Sequence, residues 1–290
     1  FKKAFDSVVR YKLWHVLKRS AIKGKMFRAL QSIYHVVKAR VRVGGELTES
    51  FFCPCGLKQG ETCSPVLFSL FINELTEEVV KRGKHGVQLS PDFLEILILL
   101  FADDVALVSD TVPGLQKQLD ILFDTASRLE LVVNLEKSNI VVFRNGGYLA
   151  KSENWVFGNE IIHVVNMYKY LGIFLSTRLS FKHTLENMAV RAKKGVVGIL
   201  KLLWILGERS PSIFFKLFDC QISPMLTYGA EIWGLDADLM TIERVHLFAI
   251  KRFLNTSLRT PNVLVYGETG RFPLSVTVYT QCVRYWLQLV

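Results

Sequence analysis

The sequence predicts an α+β fold, a sheet domain with helices over one face, followed by a purely helical region. Three observations carry this. Short strand-like runs alternate with helix-period runs from the N-terminus to about Ser176. From Ser180 onward the apolar pattern is helical only, which sets a domain boundary near Ser176–Ser180. Between them the tetrapeptide Phe101-Ala102-Asp103-Asp104 interrupts two nearly unbroken apolar runs, Leu94 to Leu100 and Val105 to Val108, as the tip of a hairpin would.

In chain order, Leu13 to Leu17 and Met26 to Val37 have helical spacing, separated by Lys23-Gly24-Lys25. Lys38 to Val43 alternates basic and apolar residues, a strand with one cationic face, and Gly44-Gly45 turns it into a second strand ending near Cys53. Ser64-Pro65 reads as a helix start with Ser64 as the cap, and the helix runs to about Lys81. Leu94 to Ser109 is the hairpin. After Pro113-Gly114, Leu115, Leu119, Leu122, Phe123, Ala126 and Leu129 form an apolar stripe of core type. Ile140 to Phe143 is a short strand, residues 155–157 and 161–165 form a hairpin about Gly158-Asn159, and Tyr168 to Phe174 continues as strand. Helices follow over 181–206, 211–221 and 239–254.

The net charge of +10 is unevenly spread. Residues 1–45 hold twelve Lys and Arg against one acid, residues 46–110 four against eleven, and residues 178–209 seven against two. Basic regions flanking an acidic centre suit a polyanion held beside a cation site, although each basic patch also reads as a solvated helix face. Mean hydropathy is +0.26, which points to apolar faces covered by something further. No apolar run is long enough to cross a bilayer, and the start carries no signal peptide, so the chain is expected to be intracellular. With Phe1 in first place, it reads as a fragment of a longer protein. The five cysteines lack zinc spacing and read as reduced, structural thiols.

Two constellations carry chemistry. Asp103 and Asp104 read either as turn residues or as a platform for a divalent cation, since Mg²⁺ favours carboxylate oxygens. In so apolar a setting, the pair requires a compensating cation. The second constellation runs from Gly56 through Lys58-Gln59-Gly60 to Ser64-Pro65-Val66-Leu67-Phe68, a glycine-flanked loop feeding a helix N-terminus. Its glycines permit close approach of a flat substrate, and the helix start offers free N–H groups to phosphate.

These motifs, in this order, resemble the reverse transcriptase domain of non-LTR (LINE-type) retrotransposons. Phe1 to Val8 resembles the tail of the first palm motif, Gly56 to Leu75 the template and nucleotide motif, and Phe101 to Asp104 the metal hairpin. Leu131 to Ser138 resembles the fourth palm motif, Tyr168 to Gly172 the primer-grip hairpin, and the helices to about Arg252 a thumb. The resemblance implies a right-hand palm with an antiparallel sheet and part of the fingers over 1–178. It implies a helical thumb and extension over 179–255, with a C-terminal helical segment of unassigned role over 256–290.

The implied chemistry is RNA-directed DNA synthesis with two Mg²⁺ ions (Mn²⁺ as alternative), in which a primer 3′-OH attacks a deoxynucleotide. Asp103 and Asp104 would be metal carboxylates, and Phe5 a steric gate against ribonucleotides. Gln59 and Gly60 would contact template and nucleotide, Lys137 the pyrophosphate, and Tyr170, Leu171 and Gly172 the primer end. On residue type alone Phe5 reads better as core packing, and Lys137 reads equally as a solvated turn lysine. The implied partners are an RNA template, a DNA primer, deoxynucleotides, and fingers and endonuclease regions of the same polyprotein. Synthesis primed on target DNA implies action in the nucleus.

The family's first motif has an aspartate two positions before the residue aligned with Lys2, which falls immediately ahead of Phe1. Asp6 is no substitute, because it belongs to the other end of the motif, and on a strand six positions span roughly 20 Å. Two of three metal carboxylates would therefore be present, and the chain as given would be inactive. A non-catalytic nucleic-acid-binding remnant of a degenerate retroelement is the alternative.

Overall fold

The computed structural model describes residues 1–83, 85–89 and 95–290. Leu94, where the apolar run before the aspartates begins, lies outside them. The chain divides into two compact units, residues 1–140 with 148–164, and residues 141–147 with 165–290.

The first unit opens with helices α1 (Arg10–Arg19) and α2 (Gly24–His35), then a ribbon of four strand pieces, β1 (Lys38–Ala39), β2 (Arg42–Val43), β3 (Glu46–Leu47) and β4 (Phe51–Phe52). Helix α3 (Ser64–Arg82) leads to β5 (Val87–Gln88), β6 (Glu95–Ile96) and the hairpin β7 (Ile98–Phe101) and β8 (Asp104–Leu107). Helix α4 (Val112–Leu129) precedes a 3₁₀ turn (Leu135–Lys137), β9 (Asn139–Ile140), β10 (Val156–Phe157), β11 (Glu160–Ile161) and β12 (His163–Val164).

Three helices make the core of this unit. Helix α1 buries Leu13 and Leu17, α3 buries Phe68, Phe71 and Leu75, and α4 buries Leu119, Leu122 and Ala126, each at helical spacing. The buried carboxylate of Glu74 ties all three together, meeting Arg19 at 3.2 Å and Arg128 at 3.0 Å. Thr111 caps α4 by accepting from Gly114 N at 3.2 Å. Phe123 departs from the expected stripe. It is 40% exposed and lies edge-on to Phe157 at 5.3 Å, because it faces the β10–β11 hairpin and not the helices.

The expected continuous antiparallel sheet does not form among the described residues. The strands pair two by two, and the β9–β12 ladder is parallel, with Asn139 opposite His163. Among the described residues no strand exceeds four residues, too short for a broad hydrogen-bonded surface. The strand expected over Ile140 to Phe143 keeps only Asn139–Ile140. Ser64 is not the cap of α3. Cys63 takes the cap position, while the Ser64 hydroxyl donates to Lys58 O at 2.5 Å.

The second unit holds the hairpin β13 (Met167–Tyr170) and β14 (Ile173–Ser176) and helices α5 (Lys182–Ile205), α6 (Pro211–Leu217), α7 (Ser223–Leu226), α8 (Ala230–Trp233), α9 (Met240–Phe253), α10 (Asn262–Thr269) and α11 (Leu274–Leu289). The hairpin falls in the same compact unit as these helices. A π turn, Phe218–Ile222, bridges α6 and α7. Against it α5 passes so closely that a Cβ on Gly195 would lie 2.7 Å from Ile222. Trp233 is fully buried and its indole donates to Tyr228 O at 3.0 Å. Among the described residues, no helix is long and apolar enough to cross a membrane.

A buried polar node fastens the C-terminal helices. The Glu243 carboxylate on α9 accepts from Leu274 N at 2.6 Å and from the Tyr266 hydroxyl, with His246 Nδ1 at 3.0 Å. Burial alone would raise the Glu243 pKa, but hydrogen bonds from His246 and Tyr266 outweigh it and hold the carboxyl below its usual range. A depressed folded pKa stabilises above the unfolded value near 4.3 and loses that contribution as pH falls through the folded value. Thermal melts are therefore expected to show stability dropping below about pH 4.3. Glu243→Gln should cost about 3 kcal/mol at neutral pH and flatten that acid limb.

Candidate functional site

The β7–β8 hairpin sets Phe101 opposite Asp104, leaving Ala102 and Asp103 as its two loop residues. Ala102 has φ +52°, a left-handed position that such loops usually give to glycine. The two carboxylates sit at an exposed tip, with Asp103 half-buried and Asp104 exposed. The apolar setting expected from the flanking runs is absent, since Leu99 is 46% and Phe101 61% exposed. No compensating cation is needed, because water solvates the pair. Neither carboxylate engages a hydrogen bond or ion pair among the described residues.

As a donor set, two adjacent carboxylates at a solvent-accessible tip fit Mg²⁺, which binds through one or two carboxylates and completes its shell with water and substrate phosphate. Among the described residues, no group of three or more His, Cys, Asp or Glu side chains gathers into a metal cluster.

Residues 2–7 form a compact turn and not the strand expected there, with Ser7 N donating to Lys3 O at 2.9 Å. The 20 Å displacement argued for Asp6 therefore does not hold. Its carboxylate accepts from Gln59 Nε2 at 2.9 Å. This turn is joined to the glycine-flanked loop by Gly56 N to Val8 O and Leu57 N to Phe5 O, both 2.8 Å. Gly56 has φ +83°, and a Cβ there would lie 2.7 Å from Asp6 O, so only glycine fits. Gln59 and Gly60 are exposed at the crest of the loop, and Gly60 (φ +84°) faces open space. Half-buried Phe5 stacks on Phe68 with centroids 4.6 Å apart, leaving part of its surface open.

The loop is anchored by residues that sequence reasoning did not single out. Arg10 donates to Gly56 O and Cys55 O at 3.0 Å each, and to Tyr34 O at 3.4 Å. The buried Tyr34 hydroxyl donates to Glu61 at 2.7 Å and meets Ser64 Oγ at 3.1 Å. Burial is the main cause raising its pKa, so it remains a neutral donor. Tyr34 stood within an amphipathic helix and Arg10 within a basic region, so neither carried a separate signal.

Lys137 is exposed at the end of the 3₁₀ turn, which closes by Lys137 N to Asn134 O at 3.1 Å. In the second unit, Tyr170 pairs with Ile173, and Leu171 (φ +46°) and Gly172 (φ +90°) form the tip. Tyr228 braces that tip by donating to Leu171 O at 2.8 Å, and a Cβ on Gly172 would lie 3.0 Å from its ring. The structure thus brings Phe5 and Gln59 together through the joined backbones, and gathers Tyr170, Leu171 and Gly172 in one turn.

Ordered motifs on a mixed helix and strand scaffold mark the chain as a polymerase-type domain. The reverse transcriptase (RNA-dependent DNA polymerase) family model matches residues 1–175, and the chain belongs to that family. It is 24% identical over 264 residues to the RNA-directed DNA polymerase from mobile element jockey of Drosophila funebris, covering 86% of this chain and 26% of that protein. It is 27% identical over 252 residues to the probable RNA-directed DNA polymerase from transposon X-element of Drosophila melanogaster, covering 82% and 25%. Against the Pol polyprotein from a type-1 retrotransposable element R2 of Popillia japonica, identity is 25% over 284 residues, covering 95% and 38%. The chain thus spans between about a quarter and two-fifths of these relatives' lengths. They bear out the resemblance read from the motifs.

Gly56→Ala should destabilise the first unit by about 3 kcal/mol or more, since it adds backbone strain to a clash with main-chain atoms that cannot step aside. Arg10→Ala, which strips the charged donor from three carbonyls, is expected to cost about 2 kcal/mol. Chemical denaturation of each variant checks both values.

Proposed function

We propose that the chain is the polymerase core of a LINE-like retroelement reverse transcriptase, extending a DNA primer on an RNA template. The observation that carries this reading is the tight β7–β8 turn, which places the consecutive Asp103 and Asp104 at its tip, half-buried and exposed respectively, with neither carboxylate in a hydrogen bond or ion pair among the described residues. Around it we infer a palm over residues 1–178, a helical thumb and extension over 179–255, and a further helical segment over 256–290.

Bound Mg²⁺ (or Mn²⁺) would activate the attacking 3′-oxygen and stabilise charge on the leaving pyrophosphate. Asp103 and Asp104 would hold the ions through their free oxygens. Phe5, fixed from beneath by Phe68, would offer its open face to the sugar of a deoxynucleotide and exclude a 2′-hydroxyl. Gln59 and Gly60 would meet the template and the nucleotide. The glycine leaves the backbone bare, and the Asp6 carboxylate requires the Gln59 amide to turn its N–H₂ inward and its oxygen outward. Lys137 would lie near the pyrophosphate, and Tyr170, Leu171 and Gly172 would touch the primer end.

By the family pattern a third carboxylate belongs immediately ahead of Phe1. Primer extension on an RNA template is therefore expected to be weak with the chain alone. It should rise by orders of magnitude when an Asp and a relative's preceding segment are joined to it. In that extended protein Asp104→Asn should lower the rate by about three orders of magnitude, equivalent to roughly 4 kcal/mol of transition-state stabilisation. An extended protein that binds RNA yet never extends a primer would instead support the non-catalytic remnant.

A further inference from the structure

We propose that the ribbon Lys38–Phe52 is a binding platform for single-stranded nucleic acid, with cations for the phosphates and an exposed aromatic ring for a base. The inference deepens the polymerase reading by giving the template strand a surface. It rests on that reading only for the identity of the strand.

The register defines the platform. Lys38 pairs with Phe52, so both side chains share one face, and Lys38 Nζ lies 4.9 Å from the Phe52 ring centroid. Further along, Arg42 pairs with Leu47, and Arg40 lies midway between these two pairs in the chain. Arg40 lies in the unpaired stretch between these two ladders, so the three cations are distributed along the ribbon and not clustered at one end. The ribbon carries two acids, Glu46 and Glu49. Glu46 is paired with Val43, which puts it on the face opposite Arg42. Lys38, Arg40 and Arg42 form no ion pair among the described residues.

The ribbon is also bare. Phe52 is 67% exposed and Phe51 50%, and residues 40–52 are exposed throughout. A two-stranded ribbon with large apolar groups in water on both faces contributes little to its own stability, and such patches mark interaction surfaces. The charge selects the occupant. Cations outside any ion pair among the described residues, with Lys38 on one face of a phenyl ring that is 67% exposed, suit a partner that is anionic and flat at once, which describes unpaired nucleotides. A duplex hides its base faces and would use only the cations.

The test measures binding of the 290-residue chain to a fluorescent, unstructured RNA oligonucleotide by anisotropy over a salt series. Joint replacement Lys38→Gln, Arg40→Gln and Arg42→Gln should reduce the slope of log affinity against log salt by about 2, near 0.7 for each cation on a single strand. Phe52→Ala should weaken binding roughly tenfold at every salt concentration with the slope unchanged, and Phe52→Tyr should retain the affinity. Lys81→Gln with Lys117→Gln and Lys151→Gln, an equal charge loss on other exposed surface, should leave the slope as it was.

Four results would overturn the proposal. These are no RNA binding by the unaltered chain, ribbon variants that bind like it, a control triple that lowers the slope equally, and a blunt RNA duplex bound with the same dependence on Phe52. None of these readouts requires synthesis, so loss of primer extension in Asp104→Asn and loss of the ribbon effect are independent results. Because the altered side chains lie in solvent, thermal melting of every variant should match the parent.

Discussion

The first unit depends on the seam where the N-terminal turn meets the loop before α3. Two backbone hydrogen bonds close it, and they form only because Gly56 lets one main chain approach another at a distance that excludes a Cβ. Arg10 then ties down carbonyls on the far side of the seam, the part-buried Gly56 O and the exposed Cys55 O. Phe5, Gln59 and Gly60 all hang from this junction. Their placement is therefore a property of main-chain geometry, with side chains adding the final constraints, as in the Asp6–Gln59 bond.

Both hairpins that carry candidate residues turn in two residues, and both force a non-glycine into left-handed φ, Ala102 in one and Leu171 in the other. Such a conformation costs of order 1 kcal/mol and persists only where the surroundings determine it. At Leu171 the cause is visible, because Tyr228 grips its carbonyl and packs on Gly172. At Ala102 four ladder pairs behind the turn hold it closed. A short, over-determined turn keeps its tip at one position relative to the strands behind it. That would suit the ion-holding and primer-holding roles proposed for the two tips.

Local periodicity made most of the elements legible. Helices α3, α4, α5 and α9 lie within a few residues of their expected bounds, because each carries a repeated apolar face that only a helix can bury. The hairpin about Gly158-Asn159 was equally plain from its turn residues. What failed required knowledge of distant partners. An apolar run reads as buried, yet a two-stranded hairpin has two faces, and Leu99 and Phe101 occupy the open one. Ser64 looked like a cap because nothing local reveals that Tyr34, thirty residues earlier, lies beside its hydroxyl. Arg10 was one more charge in a basic region, and its function came from carbonyls 45 and 46 residues away.

Part of the charge in the first unit is committed to ion pairs. Glu74 is consumed by Arg19 and Arg128, Glu130 by Lys12, and Arg82 by Glu78 and Asp124; each of these pairs ties structural elements together or stabilises one from within. Asp103, Asp104, Lys38, Arg40 and Arg42 are in none of these pairs. A fold that needed only solubility would have no reason to place two like charges on adjacent residues at a strained turn, where their repulsion works against closure. Nor would it set cations beside exposed phenyl rings. The uncommitted charges have opposite signs, so they cannot serve one ligand group. Under the roles proposed above, a divalent cation would answer the carboxylates and a phosphate backbone the ribbon, the two requirements of a polymerase handling a nucleic-acid strand.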